Sequence, residues 1–265
     1  MFSAFGLSRP NAIAGGGRHR VLAIIPSDAA VDDDASQAFR ICDELCDIFD
    51  KYQEQAQLLD KHLEGIVGPV MARARSLIKE HQEATARHSG ASSELDDEEA
   101  SFPVQVFSSR LFDVLMKVVY FLCKVRGYKT VVQLLPHEVH DVEPVLKVMQ
   151  GQDPKDHDRW PTRYSLLLWL SILARVPFDL STIDSSATSA GSGEDSLATA
   201  IISVCRSYLS DSGLAMKGAS VCIAQLLTRP DMESKHIGDF FEWANSVLET
   251  GTEDGADQFT ITGVL

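Results

Sequence analysis

The sequence has little that would let the chain cross a membrane or bind nucleic acid. No run of about 18 apolar residues, the length that a membrane-spanning helix needs, occurs among the 265 residues. Basic residues are scarce, since 24 Lys and Arg stand against 38 Asp and Glu and the formal net charge is -14. Nucleic-acid binding depends on clustered Lys and Arg that release counterions from phosphates. We therefore expect no nucleic acid and no membrane insertion, and we expect a protein partner.

Cysteine is also rare, and its count is odd. Each of the five cysteines lies within a hydrophobic run of helical period rather than in a loop, which predicts reduced, buried thiols in a reducing compartment. Cys42 and Cys46 are spaced to place two metal ligands on one helix face, but no second Cys or His pair follows at a suitable spacing. Core packing is the favoured interpretation of this pair. The five residues are Cys42, Cys46, Cys123, Cys205 and Cys222.

The motifs of common enzymes are absent as well. The sequence contains no Gly-x-Ser-x-Gly elbow, no phosphate-binding loop and no dinucleotide fingerprint. His137 and His140 flank Glu138 at positions i and i+3, whereas the zinc-protease helix needs its two histidines at i and i+4. Asp156 and Asp158 could chelate a cation together with His157, but three adjacent positions cannot all converge on one site without a specialised loop. We expect no catalysis, no metal and no cofactor.

What the sequence does contain is helical periodicity. Apolar residues recur at steps of three and four in successive segments, and Gly127 and Gly151 stand where two of the helices should end. Tyr164–Ala174 is apolar nearly all round, which predicts a helix between neighbours. No alternation of period two predicts a strand. Because helix pairs recur roughly every 40 to 48 residues, we predict an all-α, HEAT/armadillo-like α-solenoid of antiparallel helix pairs rather than a compact bundle.

Composition divides the chain into four parts. We predict a disordered leader over residues 1–34, a first helical pair over 35–81, an acidic, Ser-rich linker over 82–101, and HEAT-like repeats over 102–265. The chain turns apolar again just before Leu265. A solenoid normally ends in a cap with a polar outer face, so we expect that further repeats follow downstream.

Charged residues in the turns between the apolar helices are the candidates for contact with a partner. Each of them taken singly is better explained as a solvated residue or as one half of a salt bridge. As a group they line the turns through which solenoids often bind other proteins. We call the group the candidate partner-contact surface; it comprises Arg126, Lys129, His137, Glu138, Asp141, Glu143, Lys155, Asp156 and Arg163.

Four segments carry a resemblance to a known family. They are DKYQEQAQLLDKHLE from Asp50, KVRGYKTVVQLLPHEVHDVEPVL from Lys124, QDPKDHDRWPTRYSLLLWLSILARVPFDLSTID from Gln152 and TRPDMESKHIGDFFEWA from Thr228. From about Phe39 onwards the chain resembles the N-terminal part of the tubulin-folding cofactor D family, which are large HEAT-repeat chaperones.

The resemblance implies a non-enzymatic chaperone scaffold. Members of the family capture β-tubulin, join cofactor E, which carries α-tubulin, and associate with an ADP-ribosylation-factor-like small GTPase. Together with cofactor C they stimulate GTP hydrolysis by tubulin. The resemblance thus implies a cytoplasmic, microtubule-associated protein that takes part in tubulin heterodimer assembly. Family members are several times longer than 265 residues. A general HEAT-repeat adaptor with a non-tubulin partner is the alternative.

Overall fold

The computed structural model describes residues 31–90, 109–183, 196–233, 236–253 and 258–265. Every regular element in these ranges is helical, and none is a strand. The predicted all-α class is therefore confirmed for the described residues. Among the same residues, no helix has both the length and the apolar composition that crossing a bilayer requires.

The longer helices are numbered here in chain order, and short helical turns connect several of them. The longer helices are α1 (Val31–Asp50), α2 (Asp60–Gly90), α3 (Arg110–Arg126), α4 (Val142–Gln150), α5 (Trp160–Leu173), α6 (Leu197–Leu209), α7 (Leu214–Leu227), α8 (Ile237–Glu253) and α9 (Gln258–Val264). One-turn α-helices lie at Tyr128–Val131, Leu180–Ile183 and Pro230–Glu233, and 3₁₀ turns at Gln53–Leu59, Val132–Leu134, Val139–Asp141 and His157–Arg159.

The chain divides into two compact units. Unit 1 comprises residues 1–77 and 109–135, and unit 2 comprises residues 78–108 and 136–265. The boundary falls within α2. This division differs from the four predicted parts, because it follows contacts in space rather than composition along the chain.

In unit 1, α1 packs mainly against α3. Lys117 Nζ lies 2.8 Å from Asp43 Oδ1, and Lys124 Nζ lies 2.9 Å from Asp50 Oδ1. The residue nearer the N-terminus of α1, Asp43, pairs with the residue nearer the N-terminus of α3, Lys117, so the two helices are parallel. The sequence instead predicts that α1 forms a hairpin with α2. That prediction is wrong about the main partner of α1, which is α3. In a stacked array, each helix packs on the corresponding helix of the next pair as well as on its neighbour in the chain.

The helix boundaries correct two parts of the predicted domain plan. α2 continues to Gly90, so residues 82–90 are helical rather than linker. Lys79 and Arg87 each lie 3.8 Å from Glu83, at i,i+4 spacings that support a helix without any apolar stripe. α1 begins at Val31, inside the predicted leader, because acidic residues are favourable within the first turn as well as before it. Residues 1–30 and 91–101, where leader and linker were also predicted, lie outside the described residues.

The core of unit 2 is built around α5. Its Trp169 is fully buried, and the indole Nε1 donates a hydrogen bond of 2.8 Å to the carbonyl oxygen of Pro136. α7 packs closely along α5, with Gly218 against Leu167. Arg229, just after α7, bonds to the carbonyl oxygen of Ala174, just after α5, so the two helices are parallel. The prediction that α5 lies between neighbours is confirmed.

All five cysteines are free and buried, as predicted. The Sγ atoms of Cys42 and Cys46 are 3.9 Å apart, and the Cys42 thiol also lies 3.7 Å from the carbonyl oxygen of Val114 in α3. Burial raises the pKa of the Cys123 thiol to about 12, which keeps this thiol protonated and unreactive at neutral pH. In the described part of the chain, no group of three or more His, Cys, Asp or Glu side chains could hold a metal ion.

The apolar segment before Leu265 is helical and partly packed. Gly263 of α9 is buried against α6, where an added Cβ would overlap the carbonyl oxygen of Leu209. Phe259 and Leu265 remain exposed. The contact with α6 is made at Gly263, where the lack of a side chain lets two backbones approach directly.

Candidate partner-contact surface

The nine residues of the candidate partner-contact surface differ widely in exposure. Arg126 and Lys129 belong to unit 1 and the other seven to unit 2, so each group is a separate surface. Lys129, His137, Glu138 and Lys155 are exposed, whereas Arg126, Glu143 and Asp156 are partly buried. Asp141 and Arg163 are buried.

Arg126 forms a two-pronged ion pair within unit 1. Its Nε and Nη2 atoms donate to the two carboxylate oxygens of Asp60, the second over 2.9 Å. The hydrogen bond from Arg126 lowers the pKa of the Asp60 carboxyl, and Asp60 in turn raises the pKa of the guanidinium. Arg126 therefore connects the end of α3 to the start of α2. Lys129, on the one-turn helix that follows, is exposed.

Arg163 is not a surface residue, which corrects the prediction. Its side chain is 2% exposed, and its Nη1 atom donates hydrogen bonds of 2.9 Å and 2.7 Å to the carbonyl oxygens of Asp153 and Asp156. Carbonyl groups of the loop before α5 need hydrogen-bond donors, and the buried Arg163 side chain provides these donors from the core side of the loop. Arg163 thus stabilises the loop.

The same loop presents Lys155 at the surface. The Asp153 carboxylate accepts a hydrogen bond of 2.8 Å from the Lys155 backbone N–H, and the Asp156 carboxylate accepts one of 3.0 Å from that of Asp158. These local bonds use the acidic side chains to shape the turn. Lys155 is left as the exposed charge of this part of the candidate surface.

Residues 137–141 also include both exposed and buried members of the candidate surface. Nε2 of His140 lies 3.3 Å from Glu138 Oε2 and 3.8 Å from Asp141 Oδ1. Asp141 is 7% exposed, so its place in an exposed contact surface is also a wrong prediction. It comes directly before α4, where acidic side chains are favourable because of the helix dipole. His137, Glu138 and His140 remain exposed.

Sequence reasoning missed a second feature of unit 2, a groove beside Phe178. Residues 175–179, which follow α5, and residues 229–231, which follow α7, line an open cavity of about 380 Å³. We call it the Phe178 groove, because the Phe178 side chain is 55% exposed there. The available signal was an aromatic residue directly after a proline in a turn.

Arg229 organises this groove with all five of its N–H donors. Nη1 donates to the carbonyl oxygens of Ala174 and Val176 over 2.8 Å and 2.7 Å, and one Nη2 donor reaches that of Phe178 over 2.7 Å. The remaining two donors form a fork on the Asp231 carboxylate at 2.9 Å and 2.8 Å. These hydrogen bonds lower the pKa of the Asp231 carboxyl. The backbone of the turn is thereby held in one conformation.

The fold and these surfaces define a class of protein. Helices that stack in parallel on their equivalents, α1 on α3 and α5 on α7, are typical of armadillo and HEAT arrays. Such arrays bind other proteins through helix faces and turns rather than through an enclosed pocket. The described surfaces fit this class, since they offer exposed charges and one exposed aromatic side chain.

Comparison with known proteins identifies the family. Residues 49–248 match the family described as Tubulin-specific chaperone D-like, ARM repeat. The chain belongs to this family, and the resemblance inferred from its sequence segments is confirmed.

Two curated relatives illustrate how distant and partial the similarity is. Tubulin-folding cofactor D of Schizosaccharomyces pombe is 26% identical over 132 residues, which are 50% of this chain and 11% of that protein. Tubulin-specific chaperone D of Dictyostelium discoideum is 24% identical over 272 aligned positions, covering 76% of this chain and 18% of that protein. The chain thus spans less than a fifth of the length of either relative. No solved structure matches it significantly.

Proposed function

We propose that this chain acts as a tubulin-folding cofactor D-like chaperone scaffold. It binds β-tubulin and takes part in the assembly of the α/β-tubulin heterodimer and in microtubule biogenesis, without catalysis of its own. The observation that carries this proposal is the family match over residues 49–248, which includes most of the described helices of both units. The names of the two curated relatives support a role in tubulin folding.

The further partners that we propose are tubulin-folding cofactors E and C and an ADP-ribosylation-factor-like small GTPase. In such a complex the chain would contribute binding area, and any stimulation of GTP hydrolysis would belong to the whole complex. A cytoplasmic, microtubule-associated location is part of the same proposal. The buried free thiols support a reducing compartment.

The proposed mechanism is binding by preformed surface. The exposed members of the candidate partner-contact surface, chiefly Lys129 in unit 1 and Lys155 in unit 2, supply charge in a chain that is otherwise strongly acidic. Charged groups at the edge of an interface accelerate encounter and select the partner more than they add affinity. Buried Arg163 contributes indirectly by stabilising the loop that carries Lys155.

A pull-down with labelled β-tubulin tests the proposal. The purified chain, immobilised through a terminal tag, should retain β-tubulin made by cell-free translation and should not retain an unrelated translated protein of similar size. Prior circular dichroism should show a folded helical protein. A folded chain that retains no β-tubulin, also when cofactor E and the small GTPase are added, would contradict the proposal and favour a general HEAT adaptor.

A further inference from the structure

Cys42 and Cys46 of α1 form a pair of adjacent thiols in unit 1. Their Sγ atoms are 3.9 Å apart, and the Cys42 Sγ atom lies 3.7 Å from the carbonyl oxygen of Val114 on α3. These distances fit a short chain of hydrogen bonds, in which the Cys46 thiol donates to Cys42 and the Cys42 thiol donates to Val114. Both cysteines are buried. The pair therefore lies at the contact between α1 and α3.

The surroundings give the two thiols different roles. The hydrogen bond from Cys46 lowers the pKa of the Cys42 thiol, and Lys117 acts in the same direction against burial and the nearby Asp43. The same hydrogen bond and burial raise the pKa of the Cys46 thiol. The thiolate is the nucleophilic form of cysteine. Cys42 is therefore the thiol that reacts first with an oxidant, and Cys46 is placed to react with the product.

Oxidation by a peroxide balances in two steps. The Cys42 thiolate attacks one peroxide oxygen, the O–O bond breaks, and Cys42 becomes a sulfenic acid while the departing hydroxide or alkoxide takes up a proton. The Cys46 sulfur then attacks the Cys42 sulfur, the S–O bond breaks, and the hydroxyl group leaves as water with the Cys46 proton. The two thiols are oxidised by two electrons to a disulfide, and the peroxide is reduced.

A disulfide between these two positions does not fit a regular helix. Helix residues four apart have Cβ atoms about 5–6 Å apart, whereas a disulfide needs about 3.5–4.5 Å. Closing the bond must therefore distort the turn that contains both cysteines. This turn also carries Leu45, which is 1% exposed, and Asp43, which pairs with Lys117 of α3 over 2.8 Å. Distortion here weakens the packing of α1 on α3.

We propose that Cys42 and Cys46 are a redox-sensitive switch, in which a peroxide converts the two thiols to a disulfide and thereby loosens α1 from α3. Because both thiols are buried, the peroxide reaches them when α1 opens locally. A strained disulfide is reduced more readily than a relaxed one, so a dithiol restores the packed helix. The switch is independent of the proposed function, since it concerns one contact within unit 1.

Other buried cysteines of the described chain provide comparisons. In unit 2, the Cys205 thiol on α6 is hydrogen-bonded to Cys222 on α7, and this bond together with burial raises the pKa of Cys205. On α3, burial raises the pKa of Cys123 to about 12. A raised pKa disfavours the thiolate. We therefore expect Cys205 and Cys123 to react more slowly than Cys42.

The test treats the whole chain with hydrogen peroxide, blocks the remaining thiols by alkylation and identifies the products by mass spectrometry. Trypsin releases residues 41–51 as one peptide that contains both cysteines, so their disulfide lowers the peptide mass by two hydrogen atoms. We expect this disulfide to be the first oxidation product and to disappear after treatment with dithiothreitol.

Three alanine variants assign the roles of the thiols. Cys46→Ala should accumulate a sulfenic acid on Cys42, which a 1,3-diketone probe labels, because the second thiol is missing. Cys42→Ala should give neither the label on residues 41–51 nor the disulfide. Cys123→Ala is the matched control, since it removes a buried thiol of the same unit, and it should form the disulfide as the wild type does.

Hydrogen exchange tests the structural consequence. In the oxidised wild type, amide exchange over residues 42–49 should be at least about tenfold faster than in the reduced chain, while α5 and α7 of unit 2 stay unchanged. Peroxide-treated Cys42→Ala should show no such increase. The wild-type measurements need no variant, so they decide the question even if a variant fails to fold.

Each outcome has a definite meaning. A disulfide in residues 41–51 together with faster exchange in α1 supports the switch. Oxidation that begins at Cys123, Cys205 or Cys222, or peroxide that leaves residues 41–51 reduced, would overturn it. A disulfide that leaves exchange in α1 unchanged would also overturn it, because the bond would then fit the packed helix.

Discussion

Gly218 of α7 lies directly against Leu167 of α5. A Cβ atom placed on Gly218 would be 3.0 Å from the Leu167 Cβ and 3.3 Å from the carbonyl oxygen of Tyr164. Both distances are tighter than most Cβ contacts in proteins, so a side chain at position 218 would require Leu167 or the Tyr164 backbone to shift by a few tenths of an ångström. The contact lies at the centre of unit 2.

We predict that Gly218→Val destabilises the protein by about 1 to 3 kcal/mol, because overpacking forces neighbouring side chains and backbone to move. The matched control is Gly238→Ala in α8, where no atom lies within 4 Å of the added Cβ. Alanine has the higher helix propensity, so the control should stabilise by up to about 1 kcal/mol. Urea unfolding of both variants measures the difference, and equal effects would contradict the packing argument.

Trp169→Ala should destabilise the protein by about 3 to 5 kcal/mol, since it leaves a large cavity and removes the hydrogen bond to Pro136. Trp169→Phe separates these effects, because it retains most of the apolar volume and loses the indole N–H. We expect it to cost less than the alanine variant, with the unpartnered carbonyl of Pro136 contributing about 1 to 3 kcal/mol. Chemical denaturation monitored by circular dichroism gives both values.

The Asp231 carboxyl makes stability depend on acid pH. The hydrogen bonds from Arg229 lower its pKa in the folded state, so the stabilisation is present above the unfolded value, about 3.9, and is lost as pH falls through the lower folded value. Asp231→Asn should therefore show a smaller fall in melting temperature below about pH 4 than the wild type. A scan of melting temperature from neutral to acid pH measures this. Identical slopes in that window would argue against a role for the pair.

Lys129→Glu and Lys155→Glu should weaken binding to β-tubulin while leaving the melting temperature within experimental error, because both side chains are exposed. Each change should act mainly on the association rate and should matter less at high salt. Stopped-flow mixing at two salt concentrations measures this. Arg126→Glu is a useful contrast, since it places like charge against Asp60 and should also lower stability. Association rates that neither lysine variant alters would remove these residues from the contact surface.

The helices could be predicted from the sequence because the spacing of apolar residues and the position of glycine within each segment indicate where a helix lies and which side of it is buried. Gly127 ends α3 with a positive φ of 91°, as its placement after an apolar stripe indicates. Trp169 lies in a segment that is apolar all round, and it is fully buried. The extension of α2 to Gly90 was missed because charged i,i+4 pairs support a helix without leaving an apolar period.

The contact residues were less predictable, because a charged residue has no periodicity that separates a surface position from a buried one. Arg163 and Lys155 look alike in the sequence, yet Arg163 is buried beneath the loop on which Lys155 is exposed. Exposed Phe178 reads as one more apolar residue near a turn until its surroundings are known.

The helical composition, the free and buried thiols, and the resemblance to the cofactor D family can all be predicted from the sequence, since they depend on residue type and on spacing within one segment. The packing of α1 mainly on α3, the bonds from Arg163 to a loop, and the role of Arg229 in holding the turn at Phe178 become known only from the folded chain. These features join residues far apart in the chain. Arg229 and Ala174, for example, meet through a 2.8 Å hydrogen bond that depends on how α5 and α7 stack.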